Sequence, residues 1–387
     1  MNILPEIHEP GAPRSHRSED PSGAGDGRIS RKLAGSFFRL RFTGLGRRRS
    51  ARPRALCLYV TYRCNMRCRM CGIWTQSQAS GETELSLEQF RRILSDPLFS
   101  RLEFININGG EPNLRNDLVP LAEMLAATFP RLKAISINTN GLPPEKTVGH
   151  VQAMARIFRE RGIRFSVSVS LHGPGEIHDL VTGTSGAYAR IKEGLDRLRE
   201  MRAKDGFYLS VNCVITGLNV HSLEPMLEWS AREDIPVNFT LGEVRERFLN
   251  REMSQTVQVG SRDRATLVGF LRRLSHDKAR FRQHALRYRR LADMIDRGAK
   301  RRLACHYDLA GVILGSDGLL YYCKNSKAIG DTKETSAYKI YFDPKNLSYK
   351  TTALRKDACL NCPPNTYNFI EVERDMFKLA RFWALGK

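Results

Sequence analysis

Cys64, Cys68 and Cys71 stand in the run Cys64-Asn65-Met66-Arg67-Cys68-Arg69-Met70-Cys71, spaced C-x-x-x-C-x-x-C, directly after an apolar strand-like stretch from Leu56 to Thr61. Structural zinc and ordinary cubane clusters take four protein ligands, so three thiolates in one short loop point to a [4Fe-4S] cluster with one iron open to a small molecule. A second motif, Gly109-Gly110-Glu111-Pro112, ends the apolar run Phe104 to Ile107. Its glycines let backbone approach a ligand closely, and Glu111 offers a negative charge. A zinc site that borrows a distant fourth ligand leaves this motif unexplained. Disulfides are disfavoured, because nine cysteines are an odd number and no signal peptide or membrane-spanning run is visible.

A second cysteine set follows residue 300: Cys305, Cys323, Cys359 and Cys362. Four thiolates complete a cluster. Gly318 to Cys323 reads as a hairpin arm beside the turn Ser316-Asp317-Gly318, and Cys359-Leu360-Asn361-Cys362 forms C-x-x-C before Pro363 and Pro364. A zinc ribbon is the competing reading, and thiolate count alone does not exclude it. Ribbons pair two C-x-x-C knuckles, however, whereas Cys305 and Cys323 lie far apart. Cys57 and Cys213 fall in apolar strands and read as buried core thiols.

The elements that must position these groups alternate. Strands are expected at Cys57 to Thr61, Leu102 to Asn108, Ala134 to Thr139, Phe165 to Leu171, Tyr208 to Ile215 and Val237 to Leu241. Between them, Ser86 with Gln89 forms a capping box for a helix burying Leu87, Phe90 and Leu94. Further helices are marked by Leu118, Leu121, Ala122 and Leu125; by Val151, Met154 and Phe158; by Tyr188, Ile191, Leu195 and Leu198; and by Leu223, Met226 and Leu227. Strict alternation argues for an α/β fold with a parallel sheet and right-handed crossovers. Both motifs then lie at carboxyl ends of strands, where α/β barrels bind ligands.

From about residue 53 onward, the cysteine spacing and G-G-E-P together resemble the radical S-adenosylmethionine (radical SAM) superfamily. That resemblance implies a partial (βα)6 TIM-type barrel and a cluster at Cys64, Cys68 and Cys71 that cleaves SAM reductively to a 5'-deoxyadenosyl radical. It implies that Gly109, Gly110 and Glu111 hold the methionyl amino group and that Met70 lies beside adenine. Asn138, Ser168 and Ser170 match positions near the SAM carboxylate and ribose. The four later cysteines resemble the twitch domain, a shortened SPASM extension carrying an auxiliary [4Fe-4S] cluster. Relatives often read S-L-D-G-P where this chain has Ser170-Leu171-His172-Gly173-Pro174. His172 departs from the pattern and is a candidate for moving a substrate proton. Glu243 and Arg245, just after the sixth strand, are candidates for holding a polar or anionic substrate.

The chain divides accordingly into a basic arm (1–52), a barrel (53–260), a basic helical linker read as solvated (261–303) and a small twitch-like cluster domain (304–387). Its formal charge of +21 attracts anions without choosing among them. Residues 1 to 30 read as disordered. After them, arginines flank Leu33, Phe37, Phe38, Leu40, Phe42 and Leu45, a pattern that fits contact with a membrane surface, although Gly35, Gly44 and Gly46 weaken a helix there. A cytoplasmic enzyme is expected, peripheral at the inner membrane surface if the arm is interfacial.

An oxidoreductase that loses its second substrate electron to the auxiliary cluster fits this layout, with flavodoxin or ferredoxin as electron donor. Substrates of sugar, lipid-precursor or other small-molecule type are favoured over peptides, because residues 1–52 do not read as a peptide-binding domain. A SPASM-type peptide maturase, a molybdenum-cofactor-type cyclisation enzyme and a non-enzymatic metal-binding protein that holds RNA are the alternatives. Nucleic acid lacks a recognition motif to support it.

Overall fold

The computed structural model describes residues 52–75, 84–277, 284–365 and 369–385. Residues 1–51 are not among them, so the basic arm and its expected membrane contact lie outside the described residues. Strand β1 (Ala55–Tyr59) leads into the first cysteine loop, and β2 (Phe104–Asn108), β3 (Ala134–Thr139), β4 (Arg164–Ser170), β5 (Phe207–Ile215) and β6 (Val237–Leu241) follow. Each pairs in parallel with its neighbour, in the order β6-β5-β4-β3-β2-β1, which is an open, partial TIM-type barrel.

Side-chain alternation makes this barrel hollow. In β2, Ile105 and Ile107 are buried against the helices while Asn106 and Asn108 face inward. β4 reads R-F-S-V-S-V-S, with Phe165, Val167 and Val169 outward and Ser166, Ser168 and Ser170 inward. Branched side chains usually fill a barrel interior. Here serine and asparagine are too small to meet across it, and a cavity of ≈ 680 Å³ remains.

The outer face is covered as the periodicity requires. Helix α1 (Leu87–Leu94) starts at Ser86, whose side chain accepts from the Gln89 N–H while Gln89 returns the bond, and it buries Phe90, Ile93 and Leu94. Leu87 is only half-buried. Helices α2 (Leu118–Thr128), α3 (Pro144–Glu160), α5 (Ala187–Asp205) and α6 (Leu223–Arg232) supply the rest of one continuous core, and α4 (Glu176–Thr182) buries His178, Val181 and Thr182 outside it.

Two elements differ from the sequence expectation. The segment 261–303 is no solvated linker: α7 (Arg264–His276) and α8 (Ala285–Arg297) form a hairpin packed on β6. Phe270 meets Phe239 edge-on at 4.9 Å, the Phe239 N–H donates to Tyr288 Oη at 3.1 Å, and Arg287 is fully buried. Basic residues masked the apolar side of this hairpin. The second difference is β7 (Gly311–Leu314), which pairs in parallel with β1 and so extends the barrel sheet before β8 (Leu319–Tyr321) and β9 (Gly330–Asp331) return antiparallel. The second cysteine set is thereby tied to the strand that carries the first. Helix α9 (Phe369–Leu385) closes this side, with Glu371 accepting from the His306 N–H at 3.2 Å and Asp375 from the Ala304 N–H at 2.7 Å. Among the described residues no helix is long and apolar enough to cross a membrane.

Candidate active site: two cysteine constellations and the lumen beside them

Cys64, Cys68 and Cys71 all open on the barrel lumen, alongside Met70, the backbone of Gly109 and Gly110, Asn138, Ser168 and Ser170. The loop carrying the thiols is fastened from four sides. Gly110 N–H donates to the Thr61 carbonyl and Glu111 N–H to that of Arg63, each at 2.8 Å. Asn140 Nδ2 donates to Asn65 Oδ1 at 2.7 Å and Asn65 Nδ2 to the Leu142 carbonyl at 3.0 Å. Arg69 N–H reaches the Val181 carbonyl at 2.9 Å. Asn250, fully enclosed, donates through Nδ2 to the carbonyls of Met70 (2.8 Å) and Glu243 (3.0 Å).

This fastening revises the reading of G-G-E-P. A Cβ on Gly109 would lie 2.4 Å from the Thr61 carbonyl oxygen, and one on Gly110 would lie 2.2 Å from that of Arg63. The glycines therefore admit the cysteine loop itself. Glu111 does not reach the lumen as a negative partner for an amino group. It is fully buried, and its oxygens accept from the Asn113 N–H (3.0 Å) and Nδ2 (2.8 Å), Thr139 Oγ1 (2.7 Å) and the Asn140 N–H (2.6 Å). Burial pushes its carboxyl above the usual range, against those hydrogen bonds. What the motif presents to the lumen is the backbone of Gly109 and Gly110.

Inside the lumen, amides and hydroxyls form a ladder. Asn138 Nδ2 donates to Asn108 Oδ1 at 2.7 Å, Asn108 in turn to Asn106, and Asn106 Nδ2 to Ser136 Oγ at 2.6 Å. Cys57 faces this ladder and accepts from Asn108 Nδ2 at 3.3 Å, whereas Cys213 is a core thiol. His172 also lines the lumen, but its Nδ1 accepts from the Val214 N–H at 3.2 Å, which puts the proton of the neutral ring on Nε2. Burial and the neighbouring His178 ring, stacked at 5.6 Å, pull its pKa down to about 3. A base that weak is poorly matched to accepting a proton near neutrality. The geometry favours His172 as a post between β4 and β5.

Cys305, Cys323, Cys359 and Cys362 surround a second, smaller cavity of ≈ 60 Å³. The four come from separate places: before a helical turn, after β8, and from the segment that leads to the chain's last helix. Cations enclose them, among them Arg245, Arg301, Lys350 and Arg355. Arg301 Nη1 points at Cys362 Sγ from 3.8 Å. Arg245, buried, pairs with Glu243, and the Asn365 amide holds Glu243 Oε1 at 2.6 Å. Glu243, Tyr307, Lys324 and Asn365 border both cavities and so form the wall between them.

The donor sets suit iron–sulfur clusters. Burial pushes the thiols up, to about 11 at Cys71 and Cys305 and about 12 at Cys359, while coordination to a metal works the other way by deprotonating a thiol outright. Among the described residues no three His, Cys, Asp or Glu side chains are grouped as a single ion would need; a cubane takes its thiolates on separate irons. A patch between the constellations was invisible in the sequence. Arg247 lies between the Tyr59 and Tyr321 rings, 4.1 Å from each, in an aromatic cluster that touches Cys71 on one side and Cys305 and Cys323 on the other.

Comparison with known proteins agrees with this architecture. Residues 58–230 match the model of the Radical SAM superfamily. A GTP 3',8-cyclase of Aeromonas hydrophila subsp. hydrophila is 29% identical over 47% of this chain and 52% of its own length. The Fe-coproporphyrin III synthase of Methanosarcina barkeri is 30% identical over 46% of this chain and 41% of its own. The chain thus spans about half the length of the curated relatives it matches. Among solved structures, anSMEcpe with bound AdoMet and Cp18Cys peptide superposes with TM-score 0.54 at 16% identity, covering 86% of this chain and 96% of that one. SuiB of Streptococcus suis, bound to precursor peptide SuiA, gives TM-score 0.55 at 13% identity, covering 90% and 77%. These two likenesses are of fold.

Proposed function

We propose that this chain, which carries a radical SAM domain, uses that domain to oxidise a small molecule held in its lumen, with the second cysteine set as the electron-accepting site. A reduced [4Fe-4S] cluster held by Cys64, Cys68 and Cys71 would, with SAM, supply a radical for hydrogen abstraction, and a [4Fe-4S] cluster held by Cys305, Cys323, Cys359 and Cys362 would supply an acceptor for the remaining electron. One observation carries the reading: the three thiols of the first loop share a cavity with the polar ladder, while the four later thiols converge just behind its wall.

The residues have distinct tasks. Cys64, Cys68 and Cys71 would hold the first cluster and Cys305, Cys323, Cys359 and Cys362 the second. Met70, the Gly109–Gly110 backbone, Asn138, Ser168 and Ser170 line the space for SAM. Glu243 borders both cavities, which makes it the group best placed to take a proton from substrate, and Arg245 holds it in position. The apolar outer face of the strands and the α7–α8 hairpin back the wall of the chamber.

The GTP 3',8-cyclase likeness supports a second reading, a cyclisation. The peptides bound to SuiB and anSMEcpe do not carry over on fold alone. Anaerobic reconstitution tests the main reading. Two four-iron sites, acid-labile sulfide and no zinc are expected, together with 5'-deoxyadenosine once dithionite and SAM are supplied. Zinc at the second site would remove its redox role and leave the cyclisation reading.

A further inference from the structure

The lumen carries more positive charge than its own carboxylate can balance. Arg287, on α8, is fully buried and lines the cavity beside β6. Its Nη1 donates to the Asn365 carbonyl and its Nη2 to Asn238 Oδ1, both at 2.7 Å, while its buried Nε has no partner. Tyr288 lies under the guanidinium at 4.4 Å. Among the described residues no carboxylate pairs with it. Lys324 lines the same chamber and likewise has no acidic partner among the described residues. The lining carboxylate, Glu243, is already taken by Arg245 and the Asn365 amide.

A guanidinium does not escape this cost by losing its proton. Neutral amides and a ring face give it partial charges only, and an unpaired buried cation is strongly unfavourable. His284 stands beside it with Nδ1 buried and unpartnered, and the Arg287 charge helps to keep that ring neutral.

From this imbalance we infer that the lumen takes an anionic substrate, whose carboxylate or phosphate group is seated at Arg287, with Lys324 adding charge to the same chamber. The planar donor fork suits either oxyanion. The inference deepens the proposed function only in treating the lumen as the substrate chamber.

Thermal unfolding of the anaerobically reconstituted full chain tests it, with inorganic phosphate and succinate as probes at fixed ionic strength against chloride, with and without saturating SAM. At least one oxyanion is expected to raise the melting temperature saturably in both conditions, and the stronger probe identifies the group. Arg287→Lys should weaken its apparent affinity by about tenfold, and Lys324→Gln by less. No saturable shift beyond chloride, or an unchanged affinity in both variants, overturns the inference. So does competition with SAM, which would assign the charge to the SAM carboxylate. If Arg287→Lys does not fold, Lys324→Gln alone carries the comparison, and an unchanged affinity there is then decisive. SAM cleavage is not read, so failure of the proposed oxidation leaves this result standing.

Discussion

Cys64, Cys68 and Cys71 come from one loop of eight residues, whereas Cys305, Cys323, Cys359 and Cys362 are gathered across nearly sixty. The short loop brings its thiols together cheaply in chain entropy, because few residues are ordered to close it. It cannot hold its own shape, and Gly110, Asn140 and Asn250 reach it from three later segments. The second set has the opposite economy. Its thiols are brought together by the sheet extension β7–β8 and by α9, and they sit among cations, Arg245 and Lys350 of them buried, that favour a multiply charged thiolate cluster. The first site is therefore open and locally encoded, the second closed and assembled by tertiary structure.

The largest effect that separates them is loss of the first site. Replacing Cys64, Cys68 and Cys71 together by Ala should abolish 5'-deoxyadenosine formation while the second site keeps its iron. Continued reductive cleavage of SAM in that variant would assign the open iron elsewhere. The Cys359→Ala, Cys362→Ala double variant should instead lose roughly half the iron, as expected when one of two four-iron sites is lost. In it, 5'-deoxyadenosine should still form while conversion of the native substrate collapses. Turnover at the wild-type rate would reduce the second site to a structural staple.

That contrast also explains what could be read in advance. β3 and β6 were legible to the residue and the other barrel strands to within about two residues, because outward Ile, Val and Phe alternate with inward Ser and Asn at period two. The cysteine loop was legible because its spacing is local. Glu111 was misplaced, since nothing in G-G-E-P reveals that Asn113, Thr139 and Asn140 would surround its carboxylate. Arg287 falls in the segment read as a solvated linker, because a basic helix looks the same whether an arginine meets water or Asn238 and Asn365. Asn250 and Asn365 carried no signal at all: each acts through partners more than 100 positions away, Met70 and Leu241.

A smaller perturbation sharpens the comparison by striking only the first site. At Gly110 an added Cβ would meet the Arg63 carbonyl carbon at 2.6 Å as well as its oxygen, and neither is a movable side-chain end. Gly110→Ala should cost about 1–3 kcal/mol and lower iron at the first site, with the second retained. Gly149, exposed in α3 with nothing within 4 Å of an added Cβ, is the control. Gly149→Ala should stabilise the fold by about 0.5–1 kcal/mol. Equal iron at the first site in both variants would show that the loop does not need Gly110 for its shape.

The smallest expected effect is a difference in acid sensitivity. His172 has a folded pKa of about 3 against an ordinary value of 6.5, so between these the unfolded chain binds more protons and stability falls as pH drops. The contribution is fully present above pH 6.5 and is about 2 kcal/mol smaller at pH 5. His178, lowered to about 4, and His284, lowered to about 3, act in the same direction, while the raised Glu111 carboxyl opposes them. All four lie in or beside the lumen wall or its supports. At the second constellation, burial pushes the free thiols of Cys305 and Cys359 up, to about 11 and 12, and coordination would deprotonate them outright, so neither form changes charge in this window. His172→Asn should therefore flatten the fall in melting temperature between pH 7 and pH 5, because the amide can still accept from the Val214 N–H without titrating. An unchanged slope would mean that the imidazole is as easily protonated folded as unfolded. That outcome would return His172 to the proton-moving role its place after β4 suggested.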